Sequence, residues 1–195
     1  MKPRPVLSRF RNGFSLIELL LVLGVIAILL VAAFVIYPQV VLSHQVSTET
    51  NNIAQMKANM RAMFASRNYN YGASLPTRTN TLMLNRARVF PSNMNRGDYS
   101  ATTVNHIWGG EVLIYATSGP HNGVATGRGF VMVYYDVPSK ACVDLVVRTL
   151  PHIRAVQVTY GTSNTPSMLP ETYQISDVVE RCGTGATRNI IFITD

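Results

Sequence analysis

Few of the groups that catalysis uses are present in this sequence. Its 195 residues include two cysteines, four histidines and ten carboxylates. Cys142 and Cys182 are too few for a zinc site of their own, and His44, His106, His121 and His152 stand at no metal-ligand spacing. Each histidine is therefore read as a surface or hydrogen-bonded group. Gly-x-Ser-x-Gly, Cys-x-x-Cys and Walker patterns are all missing. Gly123, Gly127 and Gly129 sit between two strand-like runs with no Lys-Ser or Lys-Thr after them, so they read as a hairpin connection rather than a nucleotide loop. The carboxylates are too thinly spread for spacing alone to pair an acid with a base. No enzyme, catalytic residue, metal or cofactor is expected.

Charge is also scarce, at 14% of residues against 47% hydrophobic. The formal charge of +7 is concentrated: Lys2, Arg4, Arg9 and Arg11 all precede Gly13, with no acid among them. Setting those four aside leaves thirteen basic and ten acidic residues, an ordinary surface at +3. Arg86, Arg88 and Arg96 lie in an Asn-, Arg-, Thr- and Tyr-rich stretch without an aromatic platform or glycine cradle, and read as a solvated face. Nucleic acid is not an expected partner.

What the sequence does have is a long apolar run. From Leu19 to Ile36, "LLLVLGVIAILLVAAFVI" contains no polar side chain and covers about 27 Å as a helix, nearly a bilayer core. With Phe14 to Ile17 added it spans. The basic flank stays cytoplasmic by the positive-inside rule, so the chain beyond Tyr37 faces outward. There, Leu42, Val46, Ile53, Met56, Met60 and Met63 recur at helical spacing, with Ala54, Ala58 and Ala62 on a neighbouring stripe. One helix from Phe14 to about Ser66 is predicted, with a bend at Pro38, which lacks the N–H for the Phe34 carbonyl and crowds it. A cleaved secretory signal ending at Val31-Ala32-Ala33 is the competing reading, but the apolar run is too long for one and feeds a second helical pattern. Export also bears on the cysteines. Outside the cytoplasm an even pair usually forms a disulfide, here closing residues 142–182 and stabilising the fold by about 4 kcal/mol, with two buried free thiols as the alternative.

Glu18 is the one acid within this apolar segment. A carboxylate inside a membrane helix costs about 2.5 to 3.5 kcal/mol at mid-depth and less near the interface, and it calls for a cation. A cut after Gly13 would create an α-amine on Phe14, one helical turn before Glu18, where the helix dipole also favours an acid. That amine could belong to the same chain or to a neighbouring copy.

The basic leader followed by "GFSLIELLLVLGVIAIL" resembles the processing signal of type IV pilins and their type II secretion pseudopilin relatives. The resemblance implies that a prepilin peptidase cuts between Gly13 and Phe14 and methylates the new amine of Phe14, and that Glu18 orders subunits during assembly.

In the remainder, 67–108 reads as a long connection with one short helix, "TLMLNRARVF", capped by Thr79 or Asn80 and ended before Pro91. "EVLIYA", "FVMVYYDV", "IRAVQVTY" and "NIIFIT" read as strands. "SKACVDLVVRTL" reads as a helix capped near Ser139, with Cys142, Leu145, Val146 and Thr149 on one face and Pro151 at its end. "GTSNTPSMLP" reads as a loop, "ISDVVERC" as a short turn or helix. The fold class expected is α+β: the long helix packed on an antiparallel sheet of about four strands, with a disulfide-closed C-terminal region. The expected boundaries are a leader at 1–13, a helix at 14–66 with its assembly part at 14–37, and a head at 67–195. "NHIWGGEV" and "YDVPSKACVDLV" in the head resemble type IVb pilins of the conjugative and enteric thick-pilus kind, whereas the short leader and Phe14 are more typical of type IVa. Gly109 and Gly110 are read as permitting a turn beside Trp108.

The resemblance implies a major pilin held in the bacterial inner membrane as a precursor and then polymerised into an extracellular filament (fimbrium) for adhesion, cell contact or conjugation. Its partners would be other copies of itself, the peptidase and the inner-membrane assembly machinery, with a host-surface or recipient-cell ligand recognised by loops at 67–104, 117–129 and 161–170. A type II secretion pseudopilin, a minor tip pilin that captures DNA or a host ligand, and an ordinary secreted protein are the alternatives. Intact mass of the mature chain separates the last from the rest. A start at Phe14 carrying one extra methyl group is expected; a start at Phe34 would leave only the secreted protein.

Overall fold

The computed structural model describes residues 15–72, 78–117, 124–159, 167–168, 174–183 and 185–195. The expected leader at 1–13, the cut between Gly13 and Phe14, and residues 73–77, 118–123, 161–166 and 169–170 of the expected contact loops lie outside them. The chain divides into two compact units, Met1–Val41 and Leu42–Asp195.

The first unit is the leading part of helix α1, Leu16–Phe64. Every described residue from 15 to 40 is exposed, and the helix contains an 18-residue window with a mean hydropathy of 3.4. The run is long and apolar enough to cross a membrane. As expected of one helix, α1 stays α-helical through Pro38. Proline removes one backbone donor, while the neighbouring i to i−4 bonds remain available to carry the helix across.

The second unit is the head. The rest of α1 is followed by a 3-10 turn, Ala65–Arg67, and by α2, Arg78–Arg86. Then come β1 (Val112–Ala116), β2 (Phe130–Pro138), α3 (Ser139–Thr149), a 3-10 turn at Leu150–His152, β3 (Ala155–Thr159), β4 (Ser167–Met168), α4 (Ile175–Cys182) and β5 (Thr187–Thr194). The strands form one antiparallel sheet in the order β1-β2-β5-β3-β4. Four of these strands are the ones expected. The fifth, two-residue β4 on the sheet's edge, falls inside the segment read as a loop; with two residues there is no periodicity to detect.

The last strand in sequence sits at the centre of the sheet. β5 suits that place because both of its faces are apolar: Ile190 and Phe192 point one way, Ile191 and Ile193 the other. Cross-strand rows arise from the register. Ile114, Met132, Phe192 and Val156 line up on the face packed in the main core, while Tyr115, Val131, Ile193 and Ala155 form a row in a smaller cluster on the opposite face. Between Tyr134 and Val137 the β2–β5 register shifts at Asp136, whose φ is +54°. There the Asp136 N–H donates to Asn189 Oδ1 and the Thr187 hydroxyl donates to Asp136 Oδ1.

Of the helix face expected to meet this core, Val46, Ile53, Met56 and Met60 are buried and Leu42 packs at its edge. Met63 is instead 45% exposed, one residue before the helix ends at Phe64. The alanine stripe of Ala54, Ala58 and Ala62 faces outward. Two boundaries also move. α2 starts at Arg78, so Thr79 and Asn80 lie within its first turn rather than before it, and Ser139 is the first residue of α3 without making a side-chain cap bond.

The long connection after α2 is held by its asparagines. Asn85, fully buried, donates to the carbonyls of Asp98 and Ala101 and accepts from Asn95 at 2.6 Å, while Asn93 donates to Asn52 of α1. Such side chains supply the partners that a loop's own backbone lacks. Arg86, Arg88 and Arg96 are exposed, as expected of a solvated face. Arg88 also lies 5.3 Å from the Tyr99 ring centre, an aromatic partner that sequence spacing does not indicate.

Cys142 of α3 and Cys182 of α4 form a disulfide in the main core, with both residues fully buried. Replacing both by alanine is expected to cost about 4 kcal/mol in the chain-entropy model. Denaturant unfolding of the full-length protein in detergent checks this, and an unchanged midpoint would contradict a structural role for the bond.

Candidate functional site

Two places on α1 carry polar chemistry against an apolar background: Glu18 at its start and Glu49 in the head. Glu18 lies in the first helical turn, where the Leu19 N–H already bonds to the Ser15 carbonyl. Its side chain is exposed among Leu16, Ile17, Leu19 and Leu20, all more than half exposed themselves. An acid in the first turn is favoured by the unpaired N–H groups there. Phe14, the expected source of a compensating amine, lies just before the described residues. What α1 presents from Leu16 to Ile36 is thus a continuous apolar surface with one carboxylate near its beginning.

Sequence pattern does not single out Glu49, although it falls three residues after Val46 and four before Ile53, on the face that enters the core. It is 1% exposed. Three donors converge on it: the Ile107 backbone N–H at 2.7 Å to Oε1, and Asn52 Nδ2 at 3.2 Å and the Tyr134 hydroxyl at 3.3 Å to Oε2. One carboxylate therefore joins α1 to the 105–110 loop and to β2. A buried acid without such donors would be strongly destabilising. Burial is nonetheless the largest influence and pushes its carboxyl above the ordinary range, while the Ile107, Asn52 and Tyr134 bonds act the other way. Tyr134 is raised well above an ordinary phenol, first by burial and then by Glu49, so it remains a donor.

The loop that Glu49 holds is "NHIWGG". His106 is 3% exposed and stacks on the Tyr134 ring with centres 5.5 Å apart and planes 6° from parallel. Its Nε2 lies 2.6 Å from the Tyr135 carbonyl, and the Trp108 N–H donates to its Nδ1 at 3.2 Å. A carbonyl only accepts and an N–H only donates, so both bonds require a neutral ring protonated at Nε2. Burial lowers its pKa, consistent with neutrality. Trp108 reaches α1 through its indole N–H, 3.0 Å from Gln45 Oε1. Gly109 has φ +91°, and a Cβ on Gly110 would collide with the Tyr135 carbonyl and the His106 ring. The turn expected beside Trp108 is present, and the glycines serve close packing there. Among the described residues no group of histidine, cysteine or carboxylate side chains is arranged to hold a metal.

The titrations work in opposite senses. Glu49's raised pKa makes its contribution to stability full below the ordinary carboxylate pKa and lost as pH rises through the raised value. His106's lowered pKa makes its contribution full above the ordinary imidazole pKa and lost as pH falls. Glu49→Gln keeps an acceptor for Ile107 and removes only the first trend. Between about pH 4 and pH 7, unfolding of the wild type should change less on acidification than that of the variant, which retains His106 alone; parallel profiles would contradict Glu49's titration in this range.

No curated protein is similar enough in sequence to match. Among solved structures, the type IVb pilin of Salmonella typhi is similar at 18% identity and a TM-score of 0.54, over 75% of this chain and 97% of that one. TcpA, a type IV pilin of the Vibrio cholerae El Tor biotype, is similar at 15% identity and a TM-score of 0.53, over 78% of this chain and 99% of that one. Likeness at that identity speaks for the fold. Family membership rests on sequence: the prokaryotic N-terminal methylation motif matches residues 8–34, and the family described as PilS N terminal matches residues 43–195, all but the first residue of the head. With that motif in front of that head, the chain belongs to the PilS family of type IV pilins.

Proposed function

We propose that the protein is the major structural subunit of a type IV pilus. It is made as an inner-membrane precursor, cut after Gly13, methylated on the amine of Phe14, and polymerised through 14–37 into an extracellular filament for adhesion, cell contact or conjugation. The observation that carries this reading is the surface from Leu16 to Ile36, apolar throughout except for Glu18 in its first turn. Each large side chain on it gains about 1.5 to 3 kcal/mol when removed from water, so the surface requires a cover. Lipid supplies one before assembly. In a filament, helices of other copies replace the lipid, and van der Waals packing and paired polar groups then decide the association.

Glu18 has a distinct part in that exchange. A carboxylate carried from the membrane interface into a bundle of apolar helices loses water and needs a cation. The amine of Phe14 on a neighbouring copy supplies one and at the same time sets the axial register. Glu18→Val is therefore expected to leave membrane insertion and processing at Gly13 intact while abolishing filaments in the sheared fraction. Normal piliation by that variant would refute the pairing. The wild-type chain should be the most abundant protein of sheared filaments; its absence from them would remove the claim to be the major subunit.

A further inference from the structure

A groove of about 660 Å³ runs along the outer side of α1 in the head, where Ile53, Ala54 and Ala58 face Pro151 and Ile153 of the turn after α3. Lys57 and Arg61 line it one helical turn apart. Lys57 Nζ donates to the His152 carbonyl at 2.7 Å, and the Arg61 guanidinium lies 5.6 Å from the Tyr69 ring centre. Neither makes a salt bridge among the described residues. The nearby Asp195 carboxylate bridges Arg154 at 3.5 Å and acts on Lys57 only through space. An apolar trough carrying two cations without a bridging anion is complementary to a helix that shows an apolar edge with one acid.

Such a helix is present on the same head. α4 buries Val178 and Cys182 and leaves Ile175 64% and Val179 51% exposed, one turn apart, with Glu180 exposed beside Val179. It is held rigidly: the disulfide fastens Cys182 to α3, and Gln174 and Asp177 close a capping box at its start. A rigid ridge loses little freedom on docking.

We infer that α4 of one copy docks in this groove on a second copy, with Ile175 and Val179 against Ala54 and Ala58, and Glu180 between Lys57 and Arg61. The small alanine side chains allow two helices to approach closely. Charge selects a second copy as the occupant, since an acid flanked by an exposed apolar pair is what the groove lacks and what α4 offers. Groove and ridge are different patches, so each copy gives one contact and receives one, and the series need not close. The inference rests on the pilus-subunit reading and adds to the apolar helix a second, head-to-head contact.

The test uses the full-length protein in piliated cells. With Ala58→Cys and Val179→Cys in one chain, sheared filaments should give a ladder of cross-linked multimers on a non-reducing gel, while either substitution alone gives none. A single dimer band would mean a closed contact, and well-formed filaments without cross-links would mean no contact; either overturns the inference. If the doubly substituted chain forms no filaments, charge reversal decides. Lys57→Glu and Glu180→Lys should each lower filament yield by about tenfold or more, as like charges across an interface do, and the two together should restore it. Failure of the pair to restore yield overturns the inference, as does normal yield in both single variants. Normal yield with loss of adhesion to a host cell on Lys57→Glu would assign the groove to an outside ligand instead. Failure of the pilus reading is seen separately, as a wild-type chain that starts at Phe34 or is missing from sheared filaments.

Discussion

One helix has to satisfy two kinds of surroundings along its length, and the organisation of the protein derives from that constraint. From Leu16 to Ile36 α1 is exposed among the described residues and carries aliphatic side chains on every side. From Leu42 to Phe64 it has a buried face and an exposed one. An element apolar all round must lie in lipid or among its own kind, whereas an amphipathic one needs a core of its own to rest on. Under the proposed function, the first condition would let the chain be stored in a membrane and assembled, and the second would give each copy a folded head before assembly.

Polar groups on α1 fall where they do little harm to either condition. Glu18 sits in the first turn, where backbone N–H groups favour an acid, and Glu49 is buried but receives three hydrogen bonds. Glu49 also gives the head its orientation on the helix. Helix, 105–110 loop and β2 converge on its two oxygens, and the adjoining His106, Tyr134 and Trp108 contacts extend the joint from Gln45 of α1 to the Tyr135 carbonyl. The absence of a side chain on Gly110 makes this approach possible. Apolar packing could hold the same elements together but would not specify one arrangement so closely.

The far side of the head is closed differently. α3 and α4 are short, and their fixed arrangement comes from the buried Cys142–Cys182 bond and from Leu145, Val146 and Val178 beside it. β5 then returns through the middle of the sheet, so the end of the chain is paired on both edges with strands formed earlier. The closed region displays α4 with an apolar edge outward, the feature on which head-to-head assembly would draw.

Much of this was determined by sequence alone, wherever the physics is local or periodic. The uninterrupted apolar run marks the segment long and apolar enough to cross a membrane, and alternating or helical periodicity marks four strands and the helices α1, α2 and α3. Even the buried face of α3, at Cys142, Leu145, Val146 and Thr149, is readable from one turn to the next. Tertiary structure alone decided the rest, because long-range pairing leaves no local trace. The two residues of β4 have no periodicity, the central place of β5 depends on partners far away in sequence, and Met63, though on the helix face that enters the core, stays exposed at the helix end. Glu49 is the clearest case. On a helix face a glutamate reads as an interruption, and only the donors brought to it from Ile107 and Tyr134, 58 and 85 residues away, make it the residue that joins helix to head.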